Sequence, residues 1–142
     1  MSELNPALIP LSLYIHMPWC VRKCPYCDFN SHAVPDGQLF TDLEQQYLAA
    51  LVADFETQLE MAQGRSIHSV FIGGGTPSLI SAQGYTWLFE QLRARLDFEP
   101  DCEITLEANP GTVEHDPFAD YLAAGINRLS IGVQSFNTEH LQ

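Results

Sequence analysis

Ile67-His-Ser-Val-Phe-Ile72 runs directly into Gly73-Gly74-Gly75, and this junction decides the fold. The first six residues are mostly apolar, β-branched or aromatic, and a glycine run bounds them. That combination reads as a short strand ending in a turn. Ser81 then stands where a helix N-cap is expected. Tyr85, Leu88, Phe89, Leu92 and Leu96 recur behind it at helical spacing and form one inward face. Outward from this strand–turn–helix unit the same order repeats. Upstream, Leu11 to His16 (LSLYIH) alternates apolar positions as a strand does. A loop from Met17 to Gly37 follows, with three Pro and three Cys. Leu39 to Gln63 reads as a helix, with Leu39, Leu43, Tyr47, Leu51, Phe55 and Leu59 as its core stripe and its acids on the solvated side. Downstream, Glu103 to Glu107 (EITLE) is a third strand, followed by Asn109-Pro110-Gly111. A helix over Pro117 to Ala124 stops at Gly125. Arg128 to Val133 is a fourth strand, and Asn137 is placed to cap a further helix.

Strands alternating with helices imply a parallel sheet built from βαβ units. Four strands are too few to close a barrel, and parallel sheets need cover on both faces. The expectation is that residues 1–142 are the N-terminal part of one longer core domain, with the remaining barrel and a C-terminal region lying elsewhere. A small, complete, open α/β domain is the alternative.

The chain has 142 residues with 46% apolar and 17% charged residues, a globular composition. Six Lys and Arg against 18 Asp and Glu give a net charge of −12. A surface this acidic repels phosphate backbones, so nucleic acid is not an expected partner. Met1-Ser-Glu-Leu-Asn-Pro6 lacks the basic and apolar regions of a secretory signal. No apolar run reaches the length of a membrane span. A cytoplasmic protein is expected, and in that compartment clustered cysteines read as a metal or redox site.

Cys20, Cys24 and Cys27 form C-x3-C-x2-C inside YIHMPWCVRKCPYCDF. Three thiolates on a short loop suit one iron–sulfur cubane, leaving one iron without a protein ligand. The competing reading is zinc, with His16 or His32 as fourth ligand. Cys102 reads as a buried, inert thiol. His68, His115 and His140 read as surface residues.

C-x3-C-x2-C directly after a first strand resembles the signature of radical S-adenosylmethionine (SAM) proteins. More narrowly, Tyr14-Ile-His-Met-Pro-Trp-Cys20 resembles the coproporphyrinogen III dehydrogenase-like group. So do Gly73-Gly74-Gly75-Thr76-Pro77, Glu107-Ala108-Asn109-Pro110-Gly111 and Arg128-Leu-Ser-Ile-Gly-Val-Gln134-Ser-Phe136. The resemblance covers Leu11 to about Phe136. It implies an α/β fold, a partial parallel (β/α) barrel of the radical SAM type, truncated after about four strands. It further implies a [4Fe–4S] cluster on Cys20, Cys24 and Cys27 that reductively cleaves bound SAM. Gly73, Gly74, Gly75 and Thr76 are then expected against the methionyl end of SAM, with the glycine backbone offering N–H and C=O groups. Glu107 and Gln134 are expected to help bind SAM. Tyr14 and Tyr26 are candidates to pack against the cluster or nucleoside, with ordinary core and loop packing as the alternative.

The group contains porphyrinogen dehydrogenases, which decarboxylate propionate side chains in porphyrin biosynthesis, and heme chaperones, which bind heme and deliver it to acceptor proteins. The dehydrogenases carry a further Cys two residues after the third cluster Cys, where this chain has Phe29. They also have a longer arm before the cluster loop, whereas 19 residues precede Cys20 here. Both departures favour the heme chaperone, with heme, heme-acceptor proteins and an electron donor as partners. The dehydrogenase is the alternative.

Overall fold

The computed structural model describes residues 4–34, 38–109 and 115–141. Gly37, Pro110, Gly111 and the side chain of Leu39 lie outside them. In chain order the elements are β1 (Leu11–Met17), β2 (Trp19–Cys20), β3 (His32–Ala33), α1 (Gln38–Gln58), β4 (Ile67–Gly74), α2 (Ala82–Arg93), β5 (Phe98–Ala108), α3 (Phe118–Ala123) and β6 (Arg128–Ile131). Strands β1, β4, β5 and β6 form one parallel sheet in that order. Each helix returns the chain to the start of the next strand, as parallel pairing requires.

One face of the sheet is the core. Ile15, Met17, Val70, Ile72, Ile104 and Leu106 are buried there against Leu48, Val52 and Phe55 of α1 and Tyr85, Leu88, Phe89 and Leu92 of α2. Burying each such aliphatic side chain stabilises the fold by about 1.5–3 kcal/mol. On the opposite face the register lines up Tyr14, Phe71, Thr105 and Arg128 in one row. Tyr14 stacks on Phe71 at 6.4 Å there, and both rings remain exposed.

Ser81 caps α2, its hydroxyl accepting a hydrogen bond from the Gly84 N–H at 2.9 Å. Gly125, at φ +107, ends α3. Several expectations are corrected. The first predicted helix is α-helical to Gln58 and tightens into a 3-10 turn over Leu59–Ala62, which Gln63 and Gly64 stop with positive φ. Its deepest line runs through Leu48 and Val52, while Leu43, Tyr47 and Leu51 are half-buried. The helix packs on the sheet and also on α2 beside it, so two adjacent lines are covered. One of its acids, Glu44, is accordingly buried and not solvated. The third strand begins at Phe98: β4 pairs Ile67 with Phe98 and then Ser69 with Glu103. The extra residues around Pro100 form an irregularity, a place where a strand tolerates proline. The fourth strand ends at Ile131, short of Val133, with the Gly132 N–H still donating to the Ala108 carbonyl at 3.2 Å, and Asn137 caps a 3-10 turn (Thr138–Leu141), accepting from the Glu139 N–H at 3.0 Å.

Candidate functional site

The predicted motifs all sit at the C-terminal ends of the four parallel strands, the end where α/β folds place their sites. After β1 the chain makes an excursion and returns, and its neck is closed by β2 lying parallel to β3. The His32 N–H donates to the Pro18 carbonyl at 2.6 Å and the Val34 N–H to the Cys20 carbonyl at 2.9 Å. Trp19 anchors the neck, buried edge-on against Phe40 and Tyr47. Within the excursion a turn from the Cys27 N–H to the Cys24 carbonyl, 3.1 Å, brings those two cysteines to one side. All three loop thiols are free, Cys20 and Cys27 half-buried and Cys24 exposed.

His16 ties the loop to the sheet. Its Nε2 lies 2.8 Å from the Asn30 carbonyl, which can only accept, so Nε2 carries the proton. In the neutral ring Nδ1 then accepts from the Tyr14 hydroxyl at 2.8 Å. Both nitrogens are committed, and His32 Nε2 faces Asn30 Oδ1 at 3.1 Å. Among the described residues no three His, Cys, Asp or Glu side chains gather around one point as a single ion requires.

The glycine run meets this loop. The Gly75 N–H donates to the Met17 carbonyl at 2.7 Å and the Thr76 N–H to the Trp19 carbonyl at 2.6 Å. These two N–H groups are therefore turned to the cysteine loop's own backbone, contrary to the expectation that the run offers them to a ligand. The following turn is fixed from below. Tyr85 donates to the Pro77 carbonyl at 2.7 Å, and the single Tyr121 O–H is shared between the Ser78 and Ile80 carbonyls at 2.7 and 2.8 Å. Burial pushes both phenols above their ordinary pKa.

A cavity of about 820 Å³ opens between the cysteine loop and the strand ends. Cys20, Cys24, Cys27, Tyr26, Gly74, Gly75, Thr76, Glu107 and Gln134 all line it. Tyr14 and Gly73 stand behind this lining: Tyr14 bonds His16, and Gly73 backs onto the Glu107 carboxylate. Burial, with the Glu107 charge second, raises the Tyr14 phenol. Tyr26 is raised chiefly by its hydrogen bond to Cys24. Asn109, Ser130, Gly132 and Arg22 also line the cavity and were not expected. Ser130 could have been found from register, since it pairs with Glu107. Arg22 carried no spacing signal.

Sheet, loop and cavity together define a protein class. The chain belongs to the radical SAM superfamily, whose family model matches residues 14–142. Among curated relatives, it is 56% identical over 135 residues to the heme chaperone HemW of Escherichia coli, covering 95% of this chain and 35% of that protein. It is 54% identical over 137 residues to heme chaperone HemW of Haemophilus influenzae, covering 96% and 36%. The structure of coproporphyrinogen III oxidase (HemN) from Escherichia coli, described as a radical SAM enzyme, matches with a TM-score of 0.78 and 36% identity over 95% of this chain and 30% of that one. The fold is thus a partial radical SAM (β/α) barrel. The chain spans about a third of the length of these HemW relatives.

Proposed function

We propose that this chain is the N-terminal portion of a single radical SAM core domain and carries the cluster and SAM site of a heme chaperone. The observation that carries the reading is one cavity lined by Cys20, Cys24, Cys27, Glu107 and Gln134, with Phe29 where the dehydrogenases have a fourth loop cysteine. The HemW relatives support the chaperone branch.

In this reading the three thiolates hold a [4Fe–4S] cluster. A bound cluster and SAM supply one-electron cleavage of a carbon–sulfur bond, chemistry that belongs to the cofactors and not to side chains. The chain's own residues bind and orient. Gly74 and Thr76 would hold the methionyl end of SAM, and Glu107 would accept hydrogen bonds from SAM groups that donate them. Gln134 offers an amide that both donates and accepts. Tyr26, exposed on the loop, covers the cluster or nucleoside. Tyr14 acts one step back, through His16. Heme, heme-acceptor proteins and an electron donor are the proposed partners. Among the described residues no helix is long and apolar enough to cross a membrane. A reducing cytoplasm suits three thiols reserved for a cluster.

The structural match to coproporphyrinogen III oxidase keeps that activity as the second reading. Full-length protein, reconstituted anaerobically, separates the two when given SAM, a strong reductant and coproporphyrinogen III. An unchanged porphyrinogen, with stoichiometric heme passed to an apo-acceptor, is expected. Mass loss of two CO2 would establish the oxidative decarboxylase instead. Zinc without acid-labile sulfide in the purified protein would overturn the cluster reading itself.

A further inference from the structure

The three glycines make room for three different neighbours. A β-carbon on Gly73 would stand 2.8 Å from Glu107 Oε2 and 3.0 Å from Phe71 Cε1, both tips of side chains. On Gly74 it would meet His16 Cε1 at 2.6 Å and the Met17 carbonyl oxygen at 2.8 Å, in a backbone already at φ +114. On Gly75 it would overlap the Trp19 carbonyl oxygen and stand 3.0 Å from Cys20 Sγ. Real β-carbons essentially never come closer than 3.0 Å. The Gly73 clash can be relieved by a rotamer change. The Gly75 clash cannot, because its first obstacle is backbone.

That backbone is also fastened in place. The hydrogen bonds from Gly75 N–H to Met17 and from Thr76 N–H to Trp19 hold the two segments together on either side of the missing β-carbon. The Cys20 segment is constrained on its other side by the pairing of β2 with β3. Retreat would disturb that pairing or those two hydrogen bonds.

We infer that Gly75 is a positioning residue for the first cluster thiolate. Its empty β-position is the slot that seats the Trp19 carbonyl and Cys20 Sγ, so Gly75 serves the cluster through Cys20 and Gly73 makes room for Glu107. This assignment rests on the cluster reading above. A cubane needs its three thiolates at set corners. A β-carbon at residue 75 displaces one thiolate while leaving Cys24 and Cys27 on their turn. Outer-shell changes of this kind weaken metal retention by about 10–100-fold.

The test uses full-length protein reconstituted anaerobically as wild type, Gly75→Ala and Gly73→Ala. Iron release to a chelator and the electron paramagnetic resonance spectrum of the reduced cluster are read beside SAM affinity. Gly75→Ala is expected to release iron about tenfold faster, with a shifted spectrum. Gly73→Ala is expected to keep the wild-type release rate and weaken SAM binding. A Gly75→Ala cluster with wild-type release and spectrum overturns the inference. Hydrogen exchange on the wild type tests it without a variant. The Gly75 and Thr76 amides should exchange more slowly once the cluster is in place, and unchanged exchange there overturns it too. A wild-type protein that takes up no iron and sulfide overturns the functional reading and this inference together. Wild-type uptake with an unaffected Gly75→Ala removes only the inference.

Discussion

Gln134 is held at φ +64, where a β-carbon costs about 1–2 kcal/mol. Strain of this kind persists where the surroundings dictate the backbone, and functional sites are the usual setting. Gln134→Gly should therefore raise stability by about 1 kcal/mol in urea titrations while weakening SAM binding, because the amide is lost. Improved stability with unchanged SAM affinity would remove Gln134 from the site. The cysteines divide just as sharply. Burial raises the Cys102 thiol pKa and shields it from reagents. Alkylation of the native apoprotein, followed by mass, should label three cysteines quickly and Cys102 only on unfolding. Cys24→Ala should abolish the brown cluster absorbance, whereas Cys102→Ala should leave it intact.

At the scale of elements, the start of α2 is a heavily tied helix end. Two carboxylates from distant segments reach it. Glu44 of α1 accepts from the Ser81 N–H at 3.1 Å and the Ser81 hydroxyl at 2.6 Å. Asp116 accepts from the Ala82 N–H at 2.7 Å. The first turn of a helix has unpaired N–H groups and a partial positive charge, so both contacts are favourable. Gly84 leaves space for the Glu44 carboxylate: a β-carbon there would stand 2.6 Å from Glu44 Oε1. Glu44→Ala takes the acceptor from the half-buried Ser81 N–H and hydroxyl proton and should cost about 1–3 kcal/mol by denaturant titration. Asp116 is held below its ordinary pKa, first by the Ala82 N–H and then by His115. A depressed carboxylate adds stability above its unfolded pKa and loses it as pH falls through the folded value. Between those two values wild type should lose stability to acid faster than Asp116→Asn. Parallel melting curves of the two proteins across this acid range would refute the cap.

Across the whole molecule, the helical face is closed and the other face is open. Tyr14 and Phe71 are exposed on the sheet, and Ile131, Val133 and Phe136 are exposed along and beyond its β6 edge. Unpaired strand edges and contiguous apolar surface promote association. A chain of these 142 residues should therefore self-associate with concentration in sedimentation experiments, and Ile131→Lys at the edge should shift it toward monomer. The same open face lies beside the 820 Å³ cavity. Cover over that face would also govern how much water reaches the site.

Periodicity and turn chemistry made the four strands of the main sheet, the helices and the parallel pairing legible from sequence, because each repeats locally every two or every three to four residues; the short β2 and β3 inside the predicted loop were not. Ser81 and Gly125 announced helix ends, and Asn137 a turn that is 3-10 and not the expected helix, for the same reason: a cap is a contact between near neighbours. The three cysteines were legible as a set because their spacing is short. Tertiary structure alone decided that Glu44 is buried, that β5 begins at Phe98, and that Gly75 faces Cys20. It also decided that Tyr14 reaches the site through His16. Each depends on a partner from another part of the chain, and the energy of such a contact exists only once the sheet has brought the two segments together.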